Sequence, residues 1–268
     1  MKLSIITINF NNLAGLKRTY ESVVCQTWTD YEWIVIDGGS TDGSREFIEE
    51  HQDKFAYWCS EPDKGVYNAM NKGIGHAEGV YLLFLNSGDC LYNAETLTKV
   101  FANIIFADIL SGQVVRMDNG ELLRTYDEDV FMQIYKDTLS HQGSFIRKKL
   151  FDELKYDESL KIVSDWKFWI DAIVMRNASV EYSDIVIASQ DMTGISNSNN
   201  NVMMAERRKV LDMYFPPLLQ NELNYYSLIR HSEYVVRSNY LLKNCPTFYV
   251  MGRRFLALLI KISKVFGK

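Results

Sequence analysis

The chain has 268 residues, 47% of them hydrophobic and 24% charged, and a net charge of −5. That length supports one sizeable core with at most a small annex. The near-average charged fraction excludes wholesale disorder, and the acidic balance argues against nucleic acid as a partner.

In chain order, residues 3–8 read as a buried strand, too short for the apolar region of a signal peptide, that runs straight into Asn9-Phe10-Asn11-Asn12. Asn12 is placed to cap a helix through about Gln26, with Leu13, Leu16, Tyr20 and Val23 at helical spacing. A second strand over 32–36 is broken by Asp37-Gly38-Gly39-Ser40, and a helix follows over about 42–51. A third strand over 55–60 leads to a helix over 65–76 and a fourth strand over 80–85. Asn86-Ser87-Gly88-Asp89 then precedes a helix over about 94–102. Continuous apolar strands separated by helices imply a parallel sheet covered on both faces, with right-handed crossovers. From about 105 to 147 short β-type runs take over, at 109–117, 122–126 and 144–147. A helix around 165–176, a strand at 180–187, a polar loop at 197–201 and a mostly helical stretch over 200–268 complete the chain. Cysteines at 25, 59, 90 and 245 show neither zinc-ligand spacing nor a CxxC pair, and read as reduced thiols of a cytoplasmic protein.

The residues after each of the first four strands carry the chemistry. They are Asn9 and Asn11, then Asp37, then Glu61 and Asp63, then Asn86, Ser87 and Asp89. In an open parallel sheet the ligand crevice lies outside the carboxyl ends of the strands, so these groups are expected along one edge. One such acid is an ordinary turn or cap residue; a series of them points to a ligand. Neither GxGxxG nor GxxxxGK[ST] is present. A phosphate ligand facing several carboxylates needs a divalent cation between them, and oxygen ligands such as Asp89 suit Mg²⁺ or Mn²⁺. The chemistry implied is a nucleoside diphosphate bound through a metal.

The runs SIITINFNN, SVVCQTW, YEWIVIDGGSTDGS and SEPDKGVYNAMNKGIGHAEGVYLLFLNSGD closely resemble family 2 glycosyltransferases, of the type that builds bacterial surface polysaccharides. The likeness extends over about residues 1–200. It implies the GT-A fold, a Rossmann-like, mostly parallel α/β sheet flanked by helices, here with a helical C-terminal extension. Residues 1–104 would form the nucleotide-sugar half, 105–200 the acceptor and catalytic-base half, and 201–268 the helical region. The resemblance further implies that Thr7 and Asn9 line the nucleoside pocket and that Asp37 binds the base, usually uracil. Asp63 and Asn71 would cradle ribose and donor sugar. Asn86, Ser87, Gly88 and Asp89 stand where the family has its DxD metal motif, with Asp89 the only carboxylate. Asp165 matches the catalytic base, His141 and Gln142 match features near the acceptor, and Gly194-Ile195-Ser196 match features near the diphosphate.

The implied reaction is inverting transfer of a sugar from a nucleoside-diphosphate sugar, most often a UDP-sugar, to a glycan or lipid-linked acceptor. Read from the residues alone, Asp165 is equally a helix N-terminal carboxylate, His141 a structural histidine, and Trp166 either a packing residue or a stacking platform for an acceptor sugar. Nucleotidyl transfer and a non-catalytic nucleotide-sugar-binding role are the competing readings. Residues 234–268 hold seven basic residues and no acidic one, so removing that +7 from the net −5 leaves −12 for residues 1–233. Large apolar residues at helical spacing over 248–266 give a basic amphipathic helix, which either packs on the domain or lies in a membrane interface. The expected location is therefore cytoplasmic, free or peripheral at the inner face of the membrane.

Overall fold

The computed structural model describes residues 2–103, 105–123, 129–194, 200–230, 232, 236, 240 and 242–266, with backbone alone over 258–266. Its centre is β1 (Leu3–Asn9), every residue of which is buried. A strand apolar on both faces can only lie inside a sheet. It is flanked by β2 (Tyr31–Asp37) and β4 (Tyr81–Phe84), and β3 (Tyr57–Ser60) lies beyond β2. All three pairings are parallel, as the alternation of apolar strands and helices predicts. Helix α1 (Leu13–Val24) contributes Leu16 and Val23 to the core formed with Ile5, Trp33 and Leu83. Helix α3 (Val66–His76) lies on the opposite face. There a Cβ on Gly73 would come within 2.5 Å of Ile6 Cγ2, so the absence of a side chain sets how closely the helix sits.

The sheet continues through β7 (Ser144–Arg147), β6 (Ile109–Arg116), β8 (Val180–Gln190) and β5 (Cys90–Leu91), eight strands in all among the described residues. In this half β7 runs antiparallel to both β4 and β6, and β5 antiparallel to β8. The whole is a mixed α/β sheet with helices on its faces, including α2 (Ser44–Glu50) and α4 (Thr96–Val100). Contacts divide the chain into a unit of residues 1–210 and a unit of 211–268. Helices α7 (Asn200–Tyr214), α8 (Pro217–Arg230) and α9 (Pro246–Phe266) make the C-terminal region helical, as expected.

Several local expectations are corrected. The third strand starts at Tyr57, because a 3₁₀ turn at Gln52–Lys54 takes the Phe55 amide; the Phe55 ring still packs edge-on against Trp33. Between the β-type runs read at 109–117, 122–126 and 144–147 the structure adds a helix, α5 (Val130–Lys136). Its Val, Phe, Ile and Tyr are β-formers, but Asp129 caps it by accepting from the Met132 amide at 3.1 Å. Of the run 122–126, Leu122 makes an isolated bridge to Val115, and 124–126 lie outside the described residues. The helix expected over 165–176 is α6 (Ser164–Trp169) followed by a π-helical stretch, Ile170–Met175. Residues 200 and 201, read as loop, begin α7, and 197–199 lie outside the described residues.

At the edge of the sheet opposite the strand ends, Glu32 accepts from Ser4 Oγ at 2.5 Å and from the amides of Glu78 and Gly79. A Cβ on Gly79 would lie 2.5 Å from the Ser4 backbone nitrogen and 2.6 Å from the Leu3 carbonyl carbon. Backbone cannot yield as a side chain can, so Gly79→Ala should destabilise the protein by about 1–3 kcal/mol, the usual cost of overpacking. A urea midpoint unchanged from wild type would show that the turn is not held this tightly.

Candidate active site

The parallel register aligns the strand ends. Asn9 pairs with Asp37, and Asp37 pairs with Ser60. The β4 chain stays in line past its last ladder residue, since Leu85 and Ser87 donate to the carbonyls of Ile6 and Ile8. Asn9, Asp37, Ser60 and the turn at residues 86–89 therefore share one edge.

Asp37 is fully buried and accepts from Asn9 Nδ2 (2.7 Å), Ser40 Oγ (2.5 Å), Ser60 Oγ (2.6 Å) and the Ser40 amide (2.9 Å). Burial pushes its carboxyl up, but the hydrogen bonds from Ser40, Ser60 and Asn9 outweigh this and hold it below the usual range. Asp63 closes on the same point. A Cβ on Gly38 would meet Asp63 Oδ2 at 2.7 Å and the Phe10 ring at 3.1 Å, so both side chains stand directly over this glycine. Phe10, which the sequence reading did not single out, is 66% exposed. A large ring left in water beside the Asp63 carboxylate is a signal that only the structure supplies. Thr7 lies beneath the edge. It is fully buried, and its Oγ1 accepts from the Trp33 indole at 3.0 Å.

The turn after β4 is built by hydrogen bonds to α1. Asn12 Nδ2 donates to the Ser87 carbonyl, the Gly88 amide donates to Thr19 Oγ1, and that hydroxyl donates to the Asp89 carbonyl. Gly88 has φ +109°, and a Cβ there would meet Asp191 Oδ2 at 2.9 Å. Asp89 is buried and accepts the Asp191 amide at 2.9 Å. Burial is the dominant influence and pushes its carboxyl up to about 7. Asp191, also missed from sequence, stands just beyond β8 and pairs with the Arg18 guanidinium at 2.6 Å.

Asn86 Oδ1 and Ser87 Oγ are buried without a hydrogen-bond partner, as is Asn9 Oδ1. Buried polar atoms seldom lack partners unless a ligand supplies them. One carboxylate beside unpartnered neutral oxygens fits a hard divalent cation. Among the described residues no set of three His, Cys, Asp or Glu is grouped to hold a metal unaided. Such a cation would take its remaining ligands from the diphosphate.

Asp165 opens α6. Its Oδ2 lies 3.0 Å from His141 Nδ1, and its Oδ1 accepts from the Trp166 amide at 2.8 Å. The Tyr67 hydroxyl lies 3.1 Å from Oδ1 and 2.5 Å from the Ile162 carbonyl. Burial again pushes the carboxyl up; the hydrogen bond and charge of His141, with the Trp166 and Tyr67 contacts, bring it below the usual range. His141 thus joins Asp165 to Asn86, whose Nδ2 lies 3.3 Å from Nε2. Gln142 beside it is buried.

Two expectations are met by different geometry. Asn71 turns its amide to the chain itself, exchanging hydrogen bonds with the backbone of Tyr156 and donating to Glu158. It clamps the 156–158 loop to α3. Trp166 is 2% exposed, donates to the Ile134 carbonyl at 2.6 Å, and carries the Arg207 guanidinium 4.0 Å over its ring. A stacking platform for an acceptor sugar is excluded there, and Trp166 is a core residue. Of the Gly194-Ile195-Ser196 segment, 195 and 196 lie outside the described residues.

A family model described as glycosyl transferase family 2 matches residues 4–163. A PGL/p-HBAD biosynthesis glycosyltransferase of Mycobacterium tuberculosis is 32% identical over 204 residues, covering 73% of this chain and 79% of that protein. A second M. tuberculosis protein, described as an uncharacterized glycosyltransferase, is 31% identical over 229 residues, covering 79% of this chain and 84% of its own. Among solved structures, S. aureus TarS 1–349 in complex with UDP-GlcNAc superposes with TM-score 0.65 at 21% identity, over 87% of this chain and 74% of that one. A Pyrobaculum calidifontis mannosyltransferase in complex with GDP-Man and Mn²⁺ gives TM-score 0.60 at 13% identity, over 98% and 80%.

Asp89, with its folded value near 7, keeps a proton that the unfolded chain releases near pH 4. Folding binds a proton between these values, so wild type should lose stability relative to Asp89→Asn as pH rises from about 4 to about 7, by up to about 1.4 kcal/mol per pH unit, with no further change above. Urea denaturation of the two proteins in chelator checks this; parallel stability curves would contradict the burial argument.

Proposed function

The chain belongs to glycosyltransferase family 2, and from that premise we propose that it moves a sugar, with inversion, from a UDP-sugar to a glycan or lipid-linked acceptor in surface-polysaccharide synthesis. The observation that carries the reading is the single edge on which Asn9, Asp37 and the turn at residues 86–89 are aligned, with three buried oxygens left unpartnered. The mannosyltransferase and TarS complexes, with GDP-Man and Mn²⁺ and with UDP-GlcNAc, support a nucleoside-diphosphate sugar and a metal.

In this reading Asn9, Asp37 and Phe10 receive the nucleoside, with Thr7 as the floor beneath them, and Asp63 faces the ribose and donor sugar. Asn86, Ser87 and Gly88 meet the diphosphate, and Asp89 holds Mn²⁺ or Mg²⁺. When bound, that cation neutralises the charge developing on the leaving diphosphate. Asp165 accepts the proton of the attacking hydroxyl, a contribution on the order of 10²–10⁴-fold. Its lowered pKa keeps it ionised at neutral pH. A carboxylate has about four acceptor sites; His141, the Trp166 amide and Tyr67 take three, which leaves one for the acceptor's proton. Gln142 and His141 lie on the acceptor side. Attack from the face opposite the leaving group gives inversion.

A thermal-shift panel of nucleoside-diphosphate sugars with Mn²⁺ identifies the donor, and release of its nucleotide gives the assay. Asp165→Asn should cut turnover by at least about 10²-fold while donor affinity by calorimetry stays near wild type. Near-normal turnover in that variant removes Asp165 from the chemistry.

Among the described residues no helix is long and apolar enough to cross a membrane. Helix α9 exposes Phe248, Met251 and Phe255 alongside Arg253 and Arg254, which suits peripheral contact of residues 248–268 with an anionic, cytoplasmic membrane face. Each Lys or Arg there adds about 1 kcal/mol. Co-sedimentation with phosphatidylserine-containing vesicles should fall by about tenfold in Arg253→Glu/Arg254→Glu and at high salt. Equal binding by variant and wild type would leave the helix no membrane role.

A further inference from the structure

Asp165 is held in place from outside its own helix. Val163, the residue that precedes α6, offers no capping side chain. The amides of Lys161, Ile162 and Val163 need acceptors in a turn where Ile162 and Val163 are buried. Glu206 of α7 supplies them. Its Oε1 accepts from the Lys161 amide at 2.7 Å, and its Oε2 accepts from the Ile162 amide at 3.0 Å and the Val163 amide at 3.3 Å. Helix α3 grips the other side of the same turn. The Ile162 carbonyl accepts from the Tyr67 hydroxyl at 2.5 Å, and that hydroxyl lies 3.1 Å from Asp165 Oδ1. The next residue of α7 holds the chain on the far side of Asp165. The Arg207 guanidinium stands 4.0 Å over the Trp166 ring, and its Nη2 donates to the Asp137 carbonyl at 3.2 Å.

We infer that Glu206 is a positioning residue for the transfer reaction, which fixes the Asp165 carboxyl beside the acceptor by holding the turn at residues 161–163. The inference rests on the base assignment proposed above. Glu206 acts through backbone alone, since its three hydrogen bonds among the described residues all come from amides of this turn. With Tyr67 on the carbonyl side and Glu206 on the amide side, the turn has little room to rotate, and Asp165 leaves it in one direction. A displacement of about 1 Å at a reacting group can cost on the order of 10²-fold in rate. If Glu206 only seated α7 on the domain, its loss would weaken the fold as a whole, and donor binding and turnover would decline together.

Kinetics of the full-length protein separate these cases, with nucleotide release from the donor that the thermal-shift panel selects as the assay. Glu206→Ala should lower kcat by about 10–10²-fold, while calorimetric affinity for Mn²⁺·UDP stays within about twofold of wild type. Glu206→Gln can keep one oxygen for the Ile162 and Val163 amides and should lose less; it carries the comparison if the alanine variant does not fold. In Glu206→Ala/Asp165→Asn turnover should match that of Asp165→Asn alone, because both changes remove the same contribution. Near-normal turnover in Glu206→Ala, Mn²⁺·UDP affinity that falls in step with kcat, or losses that multiply in the double variant would overturn the positioning role and leave the base assignment standing. Near-normal turnover in Asp165→Asn would remove the base assignment itself, and the role of Glu206 with it.

Discussion

The site depends on the parallel register of β1 with its neighbours. Asn9 opposite Asp37, Asp37 opposite Ser60, and Ser87 hydrogen-bonded to Ile8 bring side chains from four separate segments to one edge. No side-chain contact has to create that alignment, because backbone hydrogen bonds of the ladder enforce it. A register slip of one residue would send each polar group to the other face of the sheet, where the apolar core could not accept it. The buried strands that look like mere scaffold are what gives the edge its composition.

Given that edge, the carboxylates divide by how many donors each has. Asp37 and Asp165 are buried but surrounded by hydroxyls, amides and an imidazole, and both stay ionised. Asp89 is buried with one backbone amide as its donor and near the Asp191 carboxylate, and its pKa rises. Burial alone does not decide charge; the number of donors does. An acid with so little compensation is the position where an added positive charge gains the most, and in the proposed function that charge is the donor's cation.

The sheet's first half was legible because periodicity and strand-end polarity agreed: continuous apolar runs can only be interior strands, and Asn12 and Asp37 mark their ends. The second half was legible in part: the runs at 109–117, 144–147 and 180–187 are β6, β7 and β8, but α5 and β5 were not read. In α5 the β-forming Val130, Phe131, Ile134 and Tyr135 obscure the one helical signal, the cap at Asp129. The two-residue β5 has no period to detect. Asp37, Asp89 and Asp165 were found as individual residues, but Asp191 and the bridging position of His141 were not. Each is close to its partner only through long-range contact: Asp191 lies 102 residues from Asp89, and His141 lies 55 from Asn86. Asn71 was assigned an outward role because its residue type suits a ligand, whereas satisfying buried backbone groups had the stronger claim on it; for Trp166 the packing alternative holds.

The turn after β4 carries Asn86 where a carboxylate is usual for the family, which on sequence alone reads as a weakened metal motif. The contacts give the amide a different meaning. A carboxylate at 86 would stand beside His141 Nε2 in place of the amide. It would also set a second negative charge close to Asp89, which burial already disfavours as an anion. A neutral amide avoids that second charge, with one end facing the imidazole and Oδ1 left buried without a protein partner. The ionisation of the edge is thus concentrated in Asp37 and Asp165, where the surrounding donors sustain it.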